Sequence, residues 1–135
     1  MLKIRKRYPV LVASSVLALV LGVLPRSADA ATRTFLISGG TVTLSCTGRT
    51  AGTTVTTRFR ANTGSVTSVD LYYFADGGGT FNDRQTWLPG SNTQTSAAFF
   101  VGMVGNVSIS GNFGGITSSG TRIYPISRTS PLDCY

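Results

Sequence analysis

The chain has 135 residues, a formal net charge of +7 and no histidine. The missing imidazole excludes Ser-His-Asp and Cys-His nucleophile arrangements and the usual catalytic zinc sites. Both lysines lie in the first ten residues, so a Ser-Lys dyad or Schiff-base chemistry further along has no amine to use.

The N-terminus reads as a secretory signal over residues 1–30. Lys3, Arg5, Lys6 and Arg7 form a basic start, residues 10–24 carry no charge, and Ala28-Asp29-Ala30 is a small-residue cleavage site. Cleavage before Ala31 is therefore expected. The alternative is a retained anchor, but a spanning helix needs about 20 apolar residues and this run is interrupted by Pro25. Residues 31–135 would then be the exported protein, secreted or held at the cell surface, with membrane contact only in transit. They keep seven arginines and four aspartates, a net charge of +3, and contain no Lys or Glu. The arginines are scattered, whereas nucleic-acid binding calls for a concentrated basic stripe, so no nucleic-acid partner is expected.

After residue 31 the apolar positions recur with period two, the mark of half-buried strands. Residues 34–37 open the series. Residues 41–47 place Val42, Leu44 and Cys46 on one face, and residues 53–61 place Val55, Thr57, Phe59 and Ala61 on one face. Residues 68–74 alternate Val69, Leu71 and Tyr73 against Asp70, Tyr72 and Phe74. Residues 95–104 are apolar on both faces, which predicts a central strand covered on both sides. Val107 and Ile109 begin another strand, and residues 121–127 form a last one whose Pro125 predicts a sheet edge. Glycine-rich turns are read between these runs, including residues 76–79 and 111–115.

The predicted fold is one all-β domain over residues 31–135, a small antiparallel β-sandwich or short barrel of about seven or eight strands, from spacing and turn signals. Cys46 and Cys134 are the only cysteines, and an oxidising compartment predicts that they pair. The run Gly40-Thr-Val-Thr-Leu-Ser-Cys46 resembles the B strand of an immunoglobulin variable domain. Leu132, however, stands where that pattern has tyrosine, and no family is assigned.

Catalysis would have to rest on carboxylates, with Asp70 beside Asp76 or Asp83 as the pair to consider. Aspartates near turns are more often solvated or turn-forming, and the chain is read as a non-enzyme needing no cofactor or metal. Asp76, Asn82 and Asp83 offer oxygens to Ca²⁺, but their spacing does not match an EF-hand loop. The features that point to binding are Tyr72 and Phe74, about 7 Å apart on one strand face, and Trp87 soon after. With Asn82 and Arg84 they make a candidate surface in which rings stack on sugars and polar side chains hydrogen-bond to hydroxyls. The expected function is a secreted recognition module for carbohydrate or cell-envelope polymer. The alternatives are a protein-directed binder, such as an inhibitor or toxin-like factor, and a self-assembling surface protein.

Overall fold

A computed structural model describes residues 31–48, 52–77, 79–102 and 104–134. The expected signal segment, residues 1–30, lies outside the described residues. Alternation of β-branched and polar residues produces nine strands: β1 (Ala31–Ile37), β2 (Gly40–Thr47), β3 (Thr53–Ala61), β4 (Ser65–Ala75), β5 (Gly79–Thr86), β6 (Thr93–Phe100), β7 (Asn106–Thr117), β8 (Gly120–Ile126) and β9 (Leu132–Asp133). Threonine supplies much of this, because its branched Cβ suits a pleated surface. Among the described residues there is no helix.

The strands form two antiparallel sheets. Sheet A has the order β1-β2-β3-β6. Sheet B has the order β5-β4-β7-β8, with the short β9 also pairing with β7. The layers are those of a sandwich. Sheet A contributes Val42, Leu44, Val55 and Phe59 to the core, and sheet B contributes Val69, Leu71, Tyr73, Ile109, Phe113 and Tyr124. The Phe59 ring lies 4.7 Å from that of Phe113 and 5.0 Å from that of Tyr124, which locks the layers together at their centre. Cys46 of β2 is bonded to Cys134, just past β9, so the disulfide joins the two sheets.

The predicted faces of β2, β3 and β4 hold residue by residue, and Pro125 sits on the edge strand β8. Three stretches differ. Residues 79–86 form strand β5, and residues 111–115 continue β7 where a turn was expected. The run at 95–104 is not a doubly covered central strand. Its first part belongs to β6, an edge of sheet A, with Ser96, Ala98 and Phe100 inside and Ala97 and Phe99 outside. Exposed alanine and phenylalanine on the outer face mimic the pattern of a buried strand.

Candidate functional site

The outer face of sheet B is assembled from three neighbouring strands. The register sets Asp70 of β4 beside Arg84 of β5 and Asn112 of β7, and Tyr72 beside Asn82 and Ser110. Strand alternation turns all six side chains away from the core. Asp70 is the hub. Its Oδ1 accepts from Asn82 Nδ2 at 2.9 Å, and its Oδ2 accepts from Arg84 Nε at 3.1 Å. Arg84 Nη2 lies 3.1 Å from the same Oδ2, and the guanidinium remains mostly in solvent. Asn82 also donates to the Leu71 carbonyl at 3.1 Å, which fixes its amide plane.

Next to this network Ser68, Asp70, Arg84, Thr86 and Asn112 line a depression of about 310 Å³. Tyr72, 44% exposed, stands beside it on the same face. Phe74 continues the row but is half-buried, because the Arg128 guanidinium lies 4.2 Å above its ring. Arg128 Nε in turn donates to Ser108 Oγ at 3.1 Å. Cation–π contact and hydrogen bond together hold this arginine across the end of the face.

Four of the five residues singled out in the sequence, Tyr72, Phe74, Asn82 and Arg84, therefore share one surface. Trp87 does not join them. It follows β5, and its ring stacks on the buried Phe113 with centroids 6.5 Å apart and planes 12° apart, against the core. The alternation argument missed the bridging role of Asp70, and it missed Asn112 and Arg128 altogether. Alternation places Asp70 on the face of Tyr72 and Phe74 without showing that it joins Asn82 to Arg84, and the other two reach the site through β7 and the segment after β8. Only knowledge of which strands neighbour β4 could have found them.

Asp70 and Asp83 lie on opposite faces of sheet B and do not converge. Asp70 faces outward on β4, while Asp83 of β5 pairs across from Leu71 and faces the inside. Asp83 accepts from Gln85 Nε2 at 3.1 and 3.2 Å and from the Ser96 hydroxyl of β6. Asn82 and Asp83, adjacent on one strand, point to opposite faces, so the calcium triad with Asp76 does not converge. Among the described residues no group of three metal-ligating side chains comes together.

No protein-family model matches the chain, and no curated protein matches it. One solved structure, described as the X-ray structure of Northeast Structural Genomics Consortium target SoR45, is similar at 11% identity and a TM-score of 0.39. The match covers 75% of this chain and 81% of that one.

Proposed function

We propose that the chain is an exported, non-catalytic recognition module that binds carbohydrate on the outer face of sheet B. The observation that carries this reading is the juxtaposition of exposed Tyr72 with the Asp70–Asn82–Arg84 network. A sugar ring presents an apolar face of C–H groups and an equatorial rim of hydroxyls. An open phenol ring suits the first. A carboxylate, an amide and a guanidinium held in one another's hydrogen bonds suit the second, because their ordering cost is met before binding. Export is supported by the basic, apolar and small-residue sequence of residues 1–30 and by a disulfide of the kind found in oxidising compartments.

The test is a neutral-glycan array probed with the exported protein, disulfide formed, followed by titration of any hit. Tyr72→Ala should weaken binding by more than about 1 kcal/mol while the melting temperature stays nearly unchanged. Retention of full affinity by Tyr72→Ala and Asn82→Ala would sink the reading.

A second reading, self-assembly through strand edges, is supported by β6. It closes sheet A on one side and carries Phe99 on its exposed outer face. Unpaired edges template further strands. Sedimentation across a hundredfold range of protein concentration, set by about the span that mass action requires, separates the two readings: a constant monomer leaves only the first.

A further inference from the structure

Sheet A also has an outer face, and its chemistry is different. Thr41, Thr43, Ser45 and Thr47 project from β2, and Thr54, Thr56, Arg58 and Arg60 project from β3. The register sets Thr41 opposite Arg60 and Thr43 opposite Arg58, and these four line a cleft of about 200 Å³. The four aspartates of residues 31–135 are all elsewhere: Asp70 in β4, Asp76 just after it, Asp83 in β5 and Asp133 in β9. No strand of sheet A carries an acid.

Arg58 and Arg60 are also set apart from the other arginines. Arg33 donates to Ser130 Oγ and the Pro131 carbonyl. Arg84 pairs with Asp70, Arg122 lies over the Tyr124 ring and Arg128 over Phe74. Among the described arginines only Arg58 and Arg60 have no hydrogen bond, ion pair or ring contact with the protein. Both are exposed and separated by one residue on the same strand face, about 7 Å apart at the backbone. Two like charges held so close without a counter-charge repel each other, and they gain most from a ligand that supplies the counter-charge.

We propose that the Arg58–Arg60 cleft binds the oxyanions of an anionic polysaccharide. Guanidinium is planar and forked, and it meets carboxylate, sulfate or phosphate with two parallel hydrogen bonds. The spacing of the two arginines suits successive anionic groups along one extended polymer. The surrounding Thr hydroxyls donate to and accept from sugar hydroxyls. A nucleic-acid strand is disfavoured, because single-strand binding relies on stacking aromatics and none lines this cleft. The site lies on the opposite sheet from Tyr72 and does not depend on the carbohydrate reading made there.

Binding of the exported protein to dextran sulfate at about 0.1 M salt, where the screening length is about 10 Å, tests the assignment, with uncharged dextran as the blank. Arg58→Gln/Arg60→Gln should weaken binding by about tenfold or more, the scale of losing charged hydrogen bonds. Arg33→Gln/Arg122→Gln, which removes the same net charge elsewhere, should change it by less than about twofold, since screening weakens distant exposed charges. Neutral-glycan binding on sheet B should be untouched by the first pair, so the two sites fail separately. Equal loss in both double variants would mean that net charge alone is at work and would overturn the assignment. So would absence of dextran sulfate binding, or tighter binding of oligo-dT through the same arginines. Should the glutamine pair fail to fold, Arg58→Lys/Arg60→Lys keeps the charge without the fork. It is expected to lose several-fold, and full retention refutes the claim.

Discussion

The hydroxyl of Tyr73 lies inside the sandwich, on the face of β4 opposite to Tyr72. It sits near Thr57, Ser96 and Asp83, yet neither it nor the Thr57 hydroxyl has a hydrogen-bond partner of ordinary geometry. Burial pushes the Tyr73 phenol up from its ordinary value of 10.0. The Asp83 carboxylate adds to the rise, and the Thr57 and Ser96 hydroxyls pull the other way. A raised folded-state pKa contributes stability that is fully present below the unfolded value and is lost as pH climbs. Above pH about 10 the unfolded chain releases this proton and the folded one keeps it, which costs up to about 1.4 kcal/mol per pH unit. Tyr73→Phe removes both the unmet hydroxyl and the titration. Thermal melts should therefore give the variant an equal or higher melting temperature at pH 7 and a shallower decline between about pH 10 and 11. A steeper decline in the variant would contradict this account. The opposite orientations of Tyr72 and Tyr73 were readable from alternation alone, because period two leaves no choice once Val69 and Leu71 are assigned to the core. Trp87 was not readable in that way. It lies beyond the end of β5, where the chain leaves the ladder, and its contact with Phe113 depends on how β7 crosses the same layer.

At the scale of elements, legibility followed how many apolar residues a strand spends on the core. Strand β5 turns Phe81, Asp83 and Gln85 inward along with Gly79, so only one of its three inner side chains is apolar and no alternation shows. Phe81 packs edge-on against Phe100 with centroids 4.3 Å apart, and Asp83 holds β6 through Ser96. Polar contacts thus replace the hydrophobic signal at this rim of the sandwich. Strand β7 was obscured for a different reason. Gly111, Gly114 and Gly115 read as a turn, but here Gly111 and Gly115 face the β4 backbone closely and Gly114 leaves room for the Ser68 side chain. Gly111 has φ +132°, and a Cβ added there would collide with the Asp70 carbonyl oxygen. Glycine inside a strand marks such close approach. Gly111→Ala should therefore destabilise by at least the roughly 1–3 kcal/mol of a strained backbone conformation, with the collision in addition. Gly79→Ala is the matched control: its φ is +84° and nothing lies within 4 Å of the added carbon. Urea denaturation of both should show the larger loss at Gly111. Because the collision is with Asp70, the same variant should also disturb the Asn82 and Arg84 contacts on the outer face.

For the whole molecule, the two-layer plan and the disulfide were legible, since alternating faces must be buried against something and the two cysteines of the sequence have no other cysteine to pair with. The assignment of strands to sheets was not. It depends on where the chain crosses over, and β5, which carries Asn82 and Arg84, lacked the pattern of a strand. The bond from Cys46 to Cys134 spans 88 residues, with both half-cystines buried and Cα atoms 5.7 Å apart. What it secures is otherwise lightly held. Strand β9 pairs with β7 at only two positions, Asn106 with Asp133 and Val107 with Leu132. The segment leading to it is tied down by Thr129 against Ile109 and by Arg33 reaching Ser130 and Pro131. Closing a loop of that length restricts the unfolded chain by about 4–5 kcal/mol on the chain-entropy account, a large share of the roughly 5–15 kcal/mol that holds a typical domain. Cys46→Ala/Cys134→Ala should lower the urea midpoint by the corresponding amount. Hydrogen exchange should accelerate first at the amide of residue 134, which in the parent protein donates to the Gly105 carbonyl at 3.1 Å, because the strip after β8 then frays without a covalent anchor. A loss below about 1 kcal/mol would mean that the Phe59–Phe113–Tyr124 cluster holds the layers together unaided. With a large loss, by contrast, both proposed binding faces depend on oxidation: sheet A carries Arg58 and Arg60, sheet B carries Tyr72 and Asp70, and the bond is a covalent cross-link between them.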